Sequence, residues 1–186
     1  MKYKYETDRL SLQVLNDEPK YAKQVLDFYS RNRDVFEPFD PARPENFYTE
    51  SYQQTLLHCE HQLFMELKNI RYWVYLKSNP DLIIGTVCFH NILRSEFQHC
   101  SIGYKLDKEY WHKGLAKEAV SFLISRVFKE LHLHRVEAFV MVENSNSSNL
   151  LRSLGFRTEG LCLQSAKIQG EWANHLIYAL VDEEGE

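Results

Sequence analysis

The chain has 186 residues, a formal net charge of −4, 44% hydrophobic and 26% charged residues, which is the composition of a globular domain. This length predicts one domain over residues 1–186 with a single hydrophobic core. The mildly acidic balance argues against a nucleic-acid-binding module, no apolar run is long enough to span a membrane, and Met1–Glu6 lacks the apolar segment of a signal peptide. We therefore expect a cytoplasmic protein that binds neither nucleic acid nor membrane.

The first quarter of the chain predicts a strand, a helix and a loop. Apolar residues alternate through Thr7–Leu15, which predicts a strand, and Pro19 stands at a plausible first position of a helix that runs to about Arg33. Three prolines deny regular structure to Val35–Pro44. Two aromatic residues in this loop either line a substrate site or close the end of the core: Phe36 and Phe39.

The middle of the chain predicts helix followed by antiparallel sheet. Glu45–Lys68 carries an apolar stripe at helical spacing and forms one long helix or two. Ile70–Leu76 and Leu82–Asn91 predict the two strands of a hairpin, joined by a turn at Asn79-Pro80-Asp81. Phe97–Leu106 adds the next strand.

The following segments predict a β–α–β unit. Gly114–Leu131 has a helical stripe, and Arg135–Val142 reads as a strand that pairs in parallel with the strand before the helix. Asn144-Ser145-Asn146-Ser147 is rich in N-cap types and predicts a short helix that stops at Gly155. The fold class is therefore α+β, with a mixed, mostly antiparallel central sheet and helices on both faces.

The C-terminal segments predict a last hairpin, Phe156–Ile168 and Trp172–Val181, around Gln169-Gly170, and an acidic, frayed tail at Asp182–Glu186. Apolar residues of the hairpin offer a surface at a sheet edge, so we expect a monomer or a weak homodimer. They are Leu163, Ile168, Trp172, Leu176 and Tyr178.

Cysteines and histidines give no sign of a disulfide or a metal site. The four cysteines are scattered without a Cys-x-x-Cys pair, so we expect free thiols, with Cys88 as a small buried residue. His58 and His61 share a helix face without further ligands, which favours a solvated face and no metal.

The segment between the Phe97–Leu106 strand and the Gly114–Leu131 helix predicts a phosphate site. The first N–H groups of a helix have no partners and carry partial positive charge, which suits a bound phosphate. Gly114 lets the backbone approach a bulky anion, and Ala116 keeps the next position small.

This segment, Trp111-His112-Lys113-Gly114-Leu115-Ala116, resembles the acyl-CoA loop Gln/Arg-x-x-Gly-x-Gly/Ala of the Gcn5-related N-acetyltransferase (GNAT) family. Trp111 departs from Gln/Arg, and His112 stands where many members have Gly. The resemblance continues through His134–Ala138, Asn144-x-x-Ser147 and Leu154-Gly155-Phe156 and covers Thr7 to about Leu180. It looks like the branch that acetylates the N-termini of ribosomal proteins.

The resemblance implies the acyl-CoA N-acyltransferase (GNAT) fold and direct transfer in a ternary complex, with acetyl-CoA as co-substrate and no metal. The pyrophosphate would rest on backbone amides from His112 to Lys117, and the pantetheine arm would lie along Tyr104-Lys105-Leu106, where the two parallel strands splay apart. The implied cofactor-binding residues are Tyr104, Lys105, Leu106, Trp111, His112, Lys113, Gly114, Leu115, Ala116, Lys117, Asn144 and Ser147.

The catalytic residues that the resemblance implies are Ser147, as the hydrogen-bond donor to the leaving sulfur, and Asn144, which would orient the pantetheine arm or the loop. Alternatively, either residue merely caps the helix. Acids that relatives use as a base have no counterpart here, since Ser101 stands before Ile-Gly-Tyr. A water relay is possible, and the remaining candidates are Glu66, His90, Glu96 and Glu137, of which His90 has the right kind of pKa.

Three functions follow from this resemblance as hypotheses. The first is transfer of the acetyl group of acetyl-CoA to a primary amine at the N-terminus of a protein, for example a ribosomal protein. The second is the same chemistry on a small amine such as a polyamine, an amino acid or an aminoglycoside. The third is a regulatory acyl-CoA-binding protein without activity.

Overall fold

The computed structural model describes residues 1–183 and contains one eight-stranded sheet. The strands are β1 (Lys4–Glu6), β2 (Leu10–Gln13), β3 (Ile70–Leu76), β4 (Asn79–Leu93), β5 (His99–Leu106), β6 (Arg135–Met141), β7 (Arg157–Ile168) and β8 (Glu171–Val181). The helices are α1 (Pro19–Arg31), α2 (Arg33–Phe36), α3 (Glu50–Met65), α4 (Leu115–Leu131) and α5 (Ser145–Ser153), with 3-10 turns at Glu37–Phe39 and Lys108–Tyr110. The predicted acidic tail ends outside the described residues.

The sheet order is β1-β2-β3-β4-β5-β6-β8-β7, and every neighbouring pair is antiparallel except β5 and β6. The predicted α+β class, the parallel pairing and the final hairpin are therefore confirmed. The parallel pair is short, because β5 and β6 face each other only from His99↔Arg135 to Ser101↔Glu137. Beyond that point each strand stays paired with its other neighbour, so the sheet splits open between them.

Helices cover both faces of the sheet, as predicted. Buried residues of α4 recur every four positions, at Leu115, Ala119, Leu123 and Val127, and pack with Val87 and Phe89 of the sheet in one core cluster. On the other face, α1 and α3 pack over Trp73 and Tyr75. Side chains of a strand alternate between the two faces of a sheet, and both faces of β3 are covered. Its sequence is therefore mostly apolar instead of alternating.

Two local predictions were wrong. Val35–Pro44 is not wholly irregular, since α2 and a 3-10 turn occupy its first half. Pro38 fits there because the first turn of a helix needs no N–H donor and suits the fixed φ of proline. The turn predicted at Asn79–Asp81 lies instead at residues 77–78. Strand β4 begins at Asn79, and Pro80 follows within a register shift, where no ladder bond is required of it.

Other boundaries shifted by a few residues. Glu45–Lys68 forms a single helix from Glu50, because Thr49 caps it by accepting a hydrogen bond from the Tyr52 N–H at 3.2 Å. Strand β1, which pairs with β2, was not predicted, because three residues are too few to show alternation. The strand predicted from Phe97 begins at His99, and Phe97 itself is exposed.

The apolar surface predicted on the last hairpin is smaller than expected. Ile168 and Tyr178 are buried in the fold, whereas Leu163 and Trp172 are exposed. The homodimer through this edge stays a prediction, which light scattering at micromolar concentration tests.

The cysteines and the α3 histidines are placed as predicted. All four thiols are free, and Cys88 is buried. His58 lies on the exposed side of α3, with Nδ1 2.9 Å from a carboxylate oxygen of Asp17. Within residues 1–183, no helix is both long enough and apolar enough to cross a membrane.

Candidate active site

A cavity of about 410 Å³ lies where β5, the start of α4 and the start of α5 meet, and we call it the α4 cavity. Aromatic residues of the 35–39 segment, including Phe36 and Phe39, close one side of it. Of the predicted cofactor residues, all except Lys113 line this cavity: Tyr104, Lys105, Leu106, Trp111, His112, Gly114, Leu115, Ala116, Lys117, Asn144 and Ser147.

The start of α4 presents free backbone donors to the α4 cavity. Gly114 is the N-cap residue with φ +73°, a left-handed conformation that glycine adopts at little cost, and it has no side chain to cap the helix. Among residues 1–183, the N–H groups of Leu115, Ala116 and Lys117 have no protein acceptor. These donors and the helix dipole favour an anion at this place.

The loop before α4 is held by hydrogen bonds that leave these donors free. Trp111 Nε1 donates to the carbonyl of Leu106 at 2.8 Å, which ties the loop to the end of β5. Lys113 Nζ donates to the carbonyl of Glu109 at 2.7 Å, so this side chain turns back along the loop instead of lining the cavity.

An ion pair from the beginning of β2 braces the same loop. Arg9 donates through Nη1 to the Lys113 carbonyl at 2.9 Å and through Nε to Glu118 at 2.7 Å. Burial raises the pKa of the Glu118 carboxyl, but hydrogen bonds from Thr7 and Arg9 outweigh that effect and hold the pKa below its usual value. The first turn of α4 is thereby attached to the sheet.

Residues at the end of α1 fix the corner that follows β5. Arg31 Nε lies 2.5 Å from a carboxylate oxygen of the buried Asp107, and the Lys108 N–H donates to Oδ1 of the fully buried Asn32 at 3.0 Å. The corner between strand and loop is therefore set by side chains that sequence reasoning did not single out.

A second cavity, of about 280 Å³, lies on the α1 side of the split and reaches β8, so we call it the β8 cavity. Its floor is made of alternate residues of five strands, which therefore share one face of the sheet: Arg71, Thr86, Cys88, His90, Gly103, Lys105, Phe139, Met141 and His175. Five residues line both cavities, so the two spaces meet at the split: Phe39, Tyr104, Lys105, Asn144 and Ser147.

Asn144 and Ser147 have different roles at this junction. Asn144 is the N-cap of α5, because its Oδ1 accepts from the Ser147 N–H at 3.1 Å. The Ser147 hydroxyl does not cap; its Oγ lies 2.7 Å from the Tyr104 hydroxyl. Burial raises the pKa of Tyr104 to about 12, although the bond to Ser147 lowers it, so Tyr104 stays protonated at neutral pH.

Among the predicted bases, His90 lines the β8 cavity, and burial together with the Arg71 cation lowers its pKa, which keeps the imidazole neutral near pH 7. The other three candidates line neither cavity. Glu66 ends α3 beside Lys68, Glu96 is exposed before β5, and Glu137 pairs with Arg135 at 2.8 Å.

Charged side chains roof the β8 cavity. Lys105 Nζ lies 2.5 Å from an oxygen of Asp40, which also pairs with Arg43 at 2.5 Å. Burial lowers the pKa of Lys105 although Asp40 opposes this effect. Gln169, at the tip of the last hairpin, donates to the Asp40 carbonyl at 3.0 Å and so joins the hairpin to this roof.

Sequence reasoning missed Asp40, Arg71 and His175. Arg71 of β3 is half-buried, with Nε 2.6 Å from a carboxylate oxygen of Glu60. A charged residue within an apolar strand was a signal that the sequence analysis did not use. His175 stands in alternation with Ala173 and Ile177, so it shares their face of β8, but its neighbours depend on strand register.

Comparisons with known proteins agree with this geometry. Residues 9–157 match the family model described as Acetyltransferase (GNAT) domain. Over 165 residues the chain is 36% identical to the probable N-acetyltransferase YjcK of Bacillus subtilis (strain 168), covering 89% of this chain and 91% of that protein. Over 179 residues it is 31% identical to the [ribosomal protein uS5]-alanine N-acetyltransferase of Escherichia coli (strain K12), covering 96% and 91%.

The crystal structure of ribosomal-protein-S5-alanine acetyltransferase from Vibrio fischeri superposes over 100% of both chains with a TM-score of 0.91 and 28% identity. The family match spans most of this chain, and relatives above 30% identity align along nearly all of it. The chain therefore belongs to the GNAT family and is an acetyl-CoA-dependent N-acetyltransferase.

Proposed function

We propose that this enzyme acetylates the N-terminal α-amine of a protein, with a ribosomal protein as the first candidate substrate. The observation that carries the proposal is the meeting of two cavities at Ser147 through the split between β5 and β6. Transfer between two bound molecules requires two spaces that share one reacting point. The likeness to relatives named for acetylating alanine of a ribosomal protein supports the choice of substrate.

Acetyl-CoA fits the α4 cavity. Its pyrophosphate would accept hydrogen bonds from the free N–H groups of residues 115–117, and Lys117 supplies a nearby cation. The pantetheine arm would lie beside Tyr104–Leu106, because the edge of β5 that faces the split has no strand partner beyond Ser101. The thioester then reaches the junction of the two cavities.

At that junction the amine would attack the thioester carbon from the β8 cavity. A free N–H group on the edge of β5 can stabilise the developing oxyanion, and the Ser147 hydroxyl can give a proton to the leaving thiolate. Tyr104 orients this hydroxyl from the side, since the two oxygens lie 2.7 Å apart. An α-amine has a reference pKa of about 7.7–8.0, so its deprotonation needs only modest help at neutral pH.

The shape of the β8 cavity favours a polypeptide acceptor. Phe139 lines the cavity and is nevertheless 48% exposed, so the β6 side of the cavity is open to solvent. A chain that begins with the reacting amine can leave the cavity across this side, whereas a closed pocket would admit only a small molecule.

A small polar amine is the second candidate, because charged residues line the β8 cavity. Asp40, Arg71 and Lys105 could recognise a compact substrate that carries its own charges. A polypeptide acceptor continues beyond the reacting amine, whereas a small amine does not, and a substrate screen separates the two candidates.

The test measures the release of CoA thiol from acetyl-CoA in the presence of short peptides, polyamines, amino acids and aminoglycosides. We expect turnover with peptides that begin with Ala or Ser and none with the same peptides acetylated at the N-terminus. Turnover with small amines alone would favour the second candidate, and no turnover with any amine would contradict the proposed function.

A further inference from the structure

His175 is a buried histidine that faces the acceptor side of the split. It lies on β8 opposite Met141 of β6, and both line the β8 cavity together with Ser147. Only 7% of the residue is exposed, so it is enclosed by protein apart from its face toward the cavity. The sequence analysis did not identify this residue as a candidate.

The hydrogen bonds of His175 fix which ring nitrogen carries the proton. Nδ1 lies 2.9 Å from Oγ of Ser165 and 3.2 Å from the carbonyl oxygen of Ala173. A carbonyl oxygen only accepts hydrogen bonds, so the contact with Ala173 favours the neutral tautomer that carries its proton on Nδ1. Nε2 then carries a lone pair and is the nitrogen that can accept a proton.

Nε2 is available for this task. Among residues 1–183 it has no hydrogen-bond partner, and it is not fully buried. An unpartnered atom that is not sealed from solvent, on a side chain lining the β8 cavity, is reachable from that cavity. A substrate ammonium group in the β8 cavity can therefore donate to it.

We propose that Nε2 of His175 is the base that deprotonates the acceptor amine; this role rests on the proposed function. The ammonium gives one proton to Nε2, which later releases it to solvent. The nitrogen lone pair forms the bond to the carbonyl carbon, and the bond from that carbon to sulfur breaks. The thiolate takes a proton from Ser147, and the second proton lost by the nitrogen replaces it through water.

His90 is the competing base in the same cavity. It lies on β4 opposite Ser101, at the closed end of the split where β5 and β6 are still paired. Among residues 1–183, no main-chain carbonyl holds a ring nitrogen of His90 as Ala173 holds Nδ1 of His175. His90 instead bonds the side chain of Asn91, whose amide can donate or accept, so the contacts indicate the free lone pair for His175 and not for His90.

Other charged and titratable groups share the β8 cavity with His175. The charged and titratable residues that line the cavity with it are Asp40, Arg71 of β3, Cys88 and His90 of β4, and Tyr104 and Lys105 of β5. Cys162 of β7 stands opposite it in the ladder, and Met141 of β6 is uncharged. Because these groups remain in a His175 variant, a change in the pH profile reports the imidazole itself.

The experiment compares the pH dependence of kcat/KM for wild type, His175→Gln and His90→Asn with one peptide substrate found in the thiol-release screen. For wild type we expect kcat/KM to reach its plateau below the range in which a free α-amine loses its proton, about pH 7.7–8.0. For His175→Gln we expect the rise to move to about pH 8, where the amine deprotonates by itself. The loss is then about 10²-fold at pH 6.5 and less than about tenfold at pH 9.

Two further variants complete the test. Ser165→Ala removes one partner of Nδ1 and should lower kcat/KM by about threefold to tenfold, with the rise at the same pH as in wild type. His58→Gln, on the exposed side of α3, should match wild type at every pH. Melting temperatures and acetyl-CoA dissociation constants show that each variant is folded and loaded.

The possible results are distinct. A His175→Gln variant that matches wild type, or that loses the same factor at every pH, overturns the role of His175. So does a profile in which His90→Asn, and not His175→Gln, moves the rise to pH 8. A wild-type enzyme that releases no thiol with any amine overturns the proposed function and this role with it.

Discussion

The α4 cavity and the β8 cavity are built from different parts of the protein. The α4 cavity is lined largely by consecutive residues, from Tyr104 through Lys117, and its anion-binding groups belong to the backbone. The β8 cavity takes single side chains from five strands that are far apart in the chain. Backbone groups can bind a co-substrate whatever the neighbouring side chains are, whereas side chains can change with the acceptor. Variants at the two cavities should therefore fail in different ways.

The largest effect should come from the junction that both cavities share. We expect Ser147→Ala to lower kcat by about 10²–10⁴-fold with little change in the acetyl-CoA dissociation constant, because the thiolate develops only in the transition state. The cap of α5 belongs to Asn144, so the melting temperature should hardly move. Ser148→Ala is the matched control, since its buried hydroxyl has no partner among residues 1–183. Equal kinetics for the two variants would remove Ser147 from the chemistry.

Next in size is a change confined to the α4 cavity. Gly114→Val places a β-branched residue at φ +73° and a side chain beside the anion site. The added side chain occupies space beside the free N–H groups, so acetyl-CoA binding should weaken by about 10²-fold, which calorimetry measures.

Gly170 supplies the control for that experiment. It also has a positive φ, +91°, but lies at the turn of the last hairpin, where a Cβ would meet no other atom within 4 Å. Gly170→Val should lower the melting temperature through the same kind of strain and leave acetyl-CoA binding unchanged. If both variants bind acetyl-CoA as wild type does, the cofactor loop is wrongly placed.

A smaller effect should follow from removing the hydroxyl that orients Ser147. Tyr104→Phe loses the contacts of the hydroxyl with Oγ and with the carbonyl oxygen of Ser147, at 2.7 and 3.2 Å. A hydrogen bond is worth about 0.5–1.5 kcal/mol, so the variant should lower kcat about twofold to tenfold. Since the pKa of Tyr104 is about 12, the wild-type rate should show no titration of this hydroxyl between pH 6 and 9. A new pH dependence in the variant over that range would contradict a purely orienting role.

The smallest effect concerns stability and the brace on the cofactor loop. The folded-state pKa of Glu118 is lower than in the unfolded chain, so its contribution is complete above about pH 4.3 and is lost as the pH falls through the folded value. Glu118→Gln should therefore cost about 1 kcal/mol of unfolding free energy at pH 7, and the difference should shrink below pH 4. Urea unfolding at both pH values measures this, and a difference that grows in acid would contradict the assignment.

The same contrast explains what could be predicted from the sequence. Gly114 and the helix that follows are signalled within a few neighbouring residues, and the pairing of β5 with β6 follows from the β–α–β order. The position of His175 at the β8 cavity depends on the strand register that pairs it with Met141. On its other side, the pairing of β8 with β7 contains register shifts. Local spacing does not determine such a pairing, so the acceptor side had to be seen in three dimensions.

Asp40 shows a second limit. It lies in a segment expected to be irregular, where prolines hid a short helix and a 3-10 turn. Those turns aim Asp40 at Lys105, 65 positions later in the chain. No pattern within the segment indicates that contact.

The most direct test of the split-sheet account is amide hydrogen exchange with and without acetyl-CoA. We predict slower exchange for residues 102–106 on the open edge of β5 and for residues 112–117 at the start of α4. The tip of the last hairpin, around Gln169 and Gly170, should exchange at the same rate in both states. Unchanged exchange at residues 102–106 and 112–117 at saturating acetyl-CoA, or protection centred on another part of the protein, would contradict the account.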